Sequence, residues 1–114
     1  MAQRPVRIYS WNINGIRAAT KKGFADWLDR SRAEIVGVQE VRAQADQIPA
    51  EVAAIGRYHP HYSAAERKGY SGVGLFSRRK PAWVETSLGE HRFDCEGRLQ
   101  IARFGRLLVA NGYF

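Results

Sequence analysis

The sequence predicts an α/β domain that opens with a βαβ unit and continues in mostly antiparallel strands. Three observations carry that expectation. Val6-Arg7-Ile8-Tyr9-Ser10 sets β-branched and aromatic residues between polar ones, the period of a half-buried strand. Phe24, Trp27 and Leu28 then recur at i, i+3 and i+4, one face of a short helix. Glu34-Ile35-Val36-Gly37-Val38-Gln39-Glu40 follows as an apolar run of strand length. A crossover of this kind makes its two strands parallel neighbours.

The whole chain bounds what those elements can build. Its 114 residues suffice for one domain at most, with a modest core. Composition is that of a soluble globular protein, 45% hydrophobic, with no repeat or low-complexity tract. The longest apolar run, Leu107 to Ala110, is too short to span a membrane, so no membrane partner is expected. The first residues, Met-Ala-Gln-Arg-Pro-Val-Arg, carry charge without an apolar stretch, and nothing in them suggests secretion. Cys95 has no second cysteine to bond, which fits a reducing, cytoplasmic setting. A net charge of +7 favours a polyanionic partner through counterion release. The same charge would also keep an ordinary surface soluble, and by itself it does not decide between the two.

The first strand leads into Trp11-Asn12-Ile13-Asn14-Gly15-Ile16-Arg17. If the strand continues, Asn12 and Asn14 share one face, roughly 6–7 Å apart, while Trp11 and Ile13 face the core. Two oxygen-bearing amides followed by an arginine suit a hard metal ion and a phosphate. Taken alone, this stretch reads more readily as a tight hairpin turn at Asn14-Gly15. Lys21 and Lys22 precede the helix over Phe24 to Arg30, where a phosphate could reach them, and Asp26 and Arg30 stand at i, i+4 on its wet side. The second strand ends in Glu40. Parallel strands bring Asn12, Asn14 and Glu40 to the carboxyl edge of the sheet, where open α/β sheets bind ligands.

Ala45 to Ile48 reads as a turn, with Pro49 opening a helix along Ile48, Val52 and Ile55 that Gly56 closes. Tyr58-His59-Pro60-His61-Tyr62 reads as extended. Pro60 between the two histidines and the lack of a nearby third ligand make them surface residues. Lys68-Gly69-Tyr70-Ser71-Gly72 is a glycine-bracketed loop before a strand at Val73 to Ser77. Arg78-Arg79-Lys80-Pro81 is a basic turn, and Ala82 to Leu88 a further strand. After a loop containing Asp94-Cys95-Glu96-Gly97-Arg98, Leu99 to Phe104 and Leu107 to Ala110 form a hairpin turning at Gly105. Ending on Asn111-Gly112-Tyr113-Phe114 leaves an open sheet edge and apolar faces to be covered.

Five separated segments agree in order and spacing with one group of enzymes: Trp11-Asn12-Ile13-Asn14-Gly15-Ile16-Arg17, Gln39-Glu40, Gly69-Tyr70-Ser71-Gly72-Val73, Glu96-Gly97-Arg98 and Asn111-Gly112-Tyr113-Phe114. The chain resembles the exonuclease III-type apurinic/apyrimidinic endonucleases of the endonuclease/exonuclease/phosphatase superfamily, over the amino-terminal half of their domain. The resemblance implies about half of a four-layer α/β sandwich, mixed β-sheets flanked by helices. It implies Mg²⁺- or Mn²⁺-dependent hydrolysis of double-stranded DNA at abasic sites and at 3′ ends. Carried over position by position, Glu40 is the direct metal ligand, Asn12 an active-site residue at the metal, and Asn14 a weaker ligand where relatives often have an acid. Arg17, Lys22, Tyr70 and Ser71 match positions near the DNA backbone and minor groove. Tyr113 matches a catalytic tyrosine; without the resemblance it would read as a packing aromatic. Arg98 either joins the DNA-binding set or braces the loop after Gly97.

The family's second half supplies an Asp-x-Asn segment that orients the attacking water, a further acid and a Ser-Asp-His segment. None of them occurs in this sequence. The expectation is therefore a half-enzyme spanning 1–114, a poor catalyst or none by itself. It would be completed by a carboxyl-terminal half or by self-association. The alternatives are a non-catalytic nucleic-acid-binding remnant and an unstable fragment. Phosphoinositide phosphatases and sphingomyelinases share the Asn and Glu positions, but the Gly69–Val73 and Glu96–Arg98 segments and the basic balance favour DNA.

Overall fold

A computed structural model of the chain describes residues 5–114. Two stacked sheets form its centre. The first has four strands: β1 (Ile8–Asn12), β2 (Ile35–Gln39), β3 (His59–Ser63) and β4 (Val73–Ser77), in the order β1-β2-β4-β3. The second has three: β5 (Trp83–Glu85), β6 (Leu99–Phe104) and β7 (Leu107–Gly112), in sequential order. β1 and β2 are parallel, as the crossover between them requires, and every other pairing is antiparallel. This is the mixed α/β architecture the sequence predicts. No helix among the described residues is long and apolar enough to cross a membrane.

Side-chain alternation explains the layering. Val36, Val38 and Phe76 point from the first sheet toward α1 (Ile16–Lys21), α2 (Phe24–Arg30) and α3 (Ala50–Ala53), where they meet Ile16, Phe24, Leu28 and Val52. Ile35 and Leu75 point the other way and meet Ala102 and Phe104 of β6. Both faces of β2 and β4 are covered, so these strands are buried nearly throughout. Trp11 anchors β1 to the helices, with ring centres 5.9 Å from Phe24 and 5.1 Å from Trp27.

Four expectations need correction. The first strand stops at Asn12, and Asn14 takes φ 50°, so the two asparagines do not share a strand face. The Asn14 N–H instead donates to Asn12 Oδ1 at 3.1 Å, a local turn that competes with the sheet ladder. Residues 16–21 form α1, whose only large apolar anchor is Ile16, beside Ala19 and Thr20, too faint a periodic signal to read. The helix after Pro49 spans only Ala50–Ala53. The strand expected over Ala82 to Leu88 covers only Trp83–Glu85, because Asp94 of α4 (His91–Asp94) draws the following residues into a cap. Its carboxylate accepts from Ser87 Oγ and the Leu88 N–H at 2.7 Å each, and from the Glu90 N–H at 3.1 Å. Those bonds hold its pKa below the usual aspartate value.

Candidate active site

At the carboxyl edge of β1 and β2 the loops are laced together by their backbones. Beyond the β1–β2 ladder, the N–H groups of Ile13, Gly15 and Ile16 donate to the carbonyls of Gln39, Glu40 and Val41, at 3.1, 2.7 and 2.9 Å. The N–H groups of Val41 and Arg42 in turn donate to Gly72 and Ser71, at 3.0 and 2.8 Å. Three strand ends thus share one rigid rim. Five described non-glycine residues have positive φ, and Asn14, Glu40, Arg42 and Ser71 of this rim are four of them. Such backbone is costly and persists where the surroundings over-determine it, a pattern that clusters at functional sites.

Glu40 is the centre of the rim. Its Oε1 accepts from an Arg42 guanidinium nitrogen at 2.7 Å, and the side chains of Asn12 and Tyr113 are near enough to act on its carboxyl. The Arg42 hydrogen bond first, then the Asn12 amide, hold the carboxyl below its ordinary pKa of 4.5; the Arg42 charge and the Tyr113 hydroxyl add to this, and partial burial works against it. The Glu40 side chain keeps 16% of its surface exposed, enough to be reached from solvent. An anionic carboxylate is a hard-oxygen donor of the kind Mg²⁺ or Mn²⁺ accepts, and the Asn12 amide, whose oxygen takes the Asn14 N–H, offers a second oxygen nearby. The Arg42 guanidinium already marks the place as one that a cation fits.

Tyr113 reaches Glu40 from the end of β7, held there by its N–H on the Arg98 carbonyl at 2.9 Å. Arg98 is the hinge of a second group. Its guanidinium lies over the rings of both Tyr70 and Tyr113, 5.6 and 5.2 Å from their centres, donates to the Tyr70 hydroxyl and pairs with Glu96 at 3.7 Å. Arg98 therefore braces two aromatic walls as well as its own loop. Arg67 lies over the same tyrosine as well, 5.5 Å from the Tyr70 ring centre.

The remaining sequence-predicted residues fall into different places. Arg17 donates to the Arg42 carbonyl at 2.9 Å and so joins the rim. Ser71 is only 3% exposed, and its hydroxyl faces the Gly97 carbonyl at 3.4 Å, so its side chain shapes the loop from inside. Lys22 lies off the Glu40 cluster, in a groove it lines with Asn14, Trp11 and Trp27. Sequence reasoning missed Arg42, which no pattern singles out, and a buried amide network behind the rim. In that network Asn111 donates to the carbonyls of Val38 and Gly74 and to Gln100 Oε1, at 3.2, 2.9 and 3.2 Å, and accepts from Gln39 at 2.9 Å. Gln100 also donates to the His61 carbonyl at 2.8 Å. Its signal was available: strand period turns Gln100 inward with Ala102 and Phe104, and an inward amide needs partners.

A model of the Endonuclease/Exonuclease/phosphatase family matches residues 9–114. The chain belongs to that family. Within it, the chain is 33% identical over 109 residues to an exodeoxyribonuclease of Bacillus subtilis, covering 95% of this chain and 42% of that protein. Among solved structures it is similar to an AP endonuclease from Archaeoglobus fulgidus, with a TM-score of 0.81 and 28% identity over 96% of this chain and 41% of that one. It is similar to the same extent to a 3′ phosphatase from Neisseria bound to a product DNA hairpin, with a TM-score of 0.81, 26% identity and the same two coverages. The chain thus spans less than half the length of these family members.

Proposed function

We propose that the chain is the amino-terminal part of a DNA repair nuclease that hydrolyses phosphodiesters at abasic sites and at 3′ ends. The observation that carries this reading is the convergence of Asn12, Glu40 and Tyr113, from three distant segments, beside the Tyr70–Arg98 stack. In this reading Glu40 and Asn12 hold Mg²⁺ or Mn²⁺, with Asn14 orienting Asn12 through its N–H. When bound, the metal offsets charge on a phosphate oxygen and on the leaving oxygen. Tyr113 donates a hydrogen bond to the same phosphate and so favours the more highly charged transition state. Tyr70 and Arg98 hold the DNA against the rim, and Arg17 fixes the loop that carries Arg42. Lys22 contacts backbone phosphate from the neighbouring groove, and Ser71 keeps Tyr70 in position. A cytoplasmic setting agrees with the unpaired thiol of Cys95.

None of Arg42, Asn12 and Tyr113, the side chains that act on the Glu40 carboxyl, is a ready general base. A base from outside these 114 residues would complete the site, and the isolated chain would cut slowly or not at all.

The test is incision of a duplex carrying one abasic site, with Mg²⁺ and with chelator, together with Mg²⁺ titration of the same protein. Saturable Mg²⁺ binding lost in Glu40→Ala supports the metal centre, and loss in Tyr113→Phe of whatever slow Mg²⁺-dependent cutting the chain shows, with Mg²⁺ binding intact, supports the tyrosine's role. Mg²⁺ binding unchanged by Glu40→Ala would overturn the assignment.

A further inference from the structure

Away from the Glu40 rim, three side chains from two segments turn their donor atoms toward one point. Glu66 lies in the loop after β3, His91 opens α4 and Cys95 follows its last residue. Glu66 Oε1 stands 3.8 Å from His91 Nε2, and one ligand atom of each residue lies within 4.8 Å of the other two. His91 and Cys95 are four apart on a single closed turn, the Cys95 N–H bonding the His91 carbonyl at 2.9 Å, so their side chains share one face. The Glu66 N–H donates to the Cys95 carbonyl at 2.8 Å and docks the second segment there.

We propose that Glu66, His91 and Cys95 form a three-donor site for Zn²⁺ or a similar borderline-soft divalent ion, separate from the Glu40 centre. The donor chemistry selects the class of metal. Imidazole and thiolate favour zinc over Mg²⁺, which takes oxygen. Zinc bonds of about 2.0–2.3 Å to N, O and S place tetrahedral ligand atoms roughly 3.3–3.6 Å apart. Closing from 4.8 Å asks for about an ångström of rotamer adjustment from side chains free to make it, since those of His91 and Glu66 are 78% and 69% exposed. The contacts given up are slight: a long, exposed histidine–carboxylate contact contributes little, and the thiol has a 3.8 Å contact to the Arg92 carbonyl. Three protein ligands leave a fourth position for water. The bound ion would staple the loop leading to Tyr70 onto the segment leading to Arg98, bracing that stack from behind.

The experiment is Co²⁺ and Zn²⁺ titration of the whole chain with its thiol kept reduced, read by absorption and by competition with a chromophoric chelator. The expected result is one tightly bound Co²⁺ with a near-ultraviolet sulfur-to-cobalt band. That band is lost in Cys95→Ser and kept in Glu40→Ala. His91→Asn and Glu66→Gln should each weaken Zn²⁺ binding about ten-fold or more, since losing even a residue behind a ligand costs that much. Circular dichroism confirms that each variant is folded. Absence of the sulfur band in the unsubstituted chain, its survival in Cys95→Ser, or its loss in Glu40→Ala would each overturn the proposal.

Discussion

Arg42 holds the place of a counter-ion to Glu40. Its side chain is 44% exposed and its guanidinium pairs with one carboxylate oxygen, so an incoming divalent ion must compete with it. Arg42→Ala removes the competitor and its like charge, yet leaves the backbone bonds of residue 42 to Ser71 and Arg17 in place. Mg²⁺ affinity should then rise by roughly two- to five-fold, the scale of an exposed ion pair, measured by calorimetric titration at neutral pH. A fall in affinity would mean that Arg42 orients the carboxylate and does not block it.

Single elements carry two further expectations. On β3, burial holds the His61 pKa below its usual 6.5, with the charges of His59 and Lys80 acting in the same sense and a hydrogen bond from its ring to the His59 backbone against it. Between the folded pKa and 6.5 the unfolded chain binds more protons. Stability is therefore full above pH 6.5 and falls as pH drops through the folded pKa. The urea midpoint should decline from pH 7.5 toward 5.5, and His61→Gln should flatten that decline. In the loop before β6, Gly97 has φ 59°, and a Cβ there would stand 2.5 Å from the Ala65 nitrogen and 2.6 Å from the Ser63 carbonyl oxygen. Backbone atoms cannot step aside, so Gly97→Ala should cost about 3 kcal/mol or more in urea unfolding, through overpacking and strain together.

At the scale of the whole molecule the two sheets meet through apolar contacts and one amide network. Asn111→Ala leaves two carbonyls and the Gln39 and Gln100 amides short of a partner in the interior. The expected cost is about 2–4 kcal/mol, read from the denaturant midpoint, where an isolated surface amide would show almost none. Much of the architecture was legible beforehand because it follows from short-range pattern. The α2, β2, β4 and β6 segments announce themselves by period, and the parallel β1–β2 pair follows from the crossover between them. The edge that gathers Asn12 and Glu40 was legible for the same reason. Asn14 was misplaced because its turn depends on a side chain bonding back to the backbone, which overrides alternation. Arg42 and the Gln39–Asn111–Gln100 network were not legible as partners, since their contacts join residues far apart in sequence.

Gly37 lies beneath that network, and a methyl group on it would come within 3.0 Å of the Asn111 side-chain carbon and oxygen. Asn111 is tethered on every polar atom and cannot yield. The two positions are therefore sterically coupled. Enlarging residue 37 first strains the network and shrinking residue 111 first empties it, so either order passes through a weakened intermediate. Substitution at this spot is costly on either side of the contact, although neither residue touches the reacting centre.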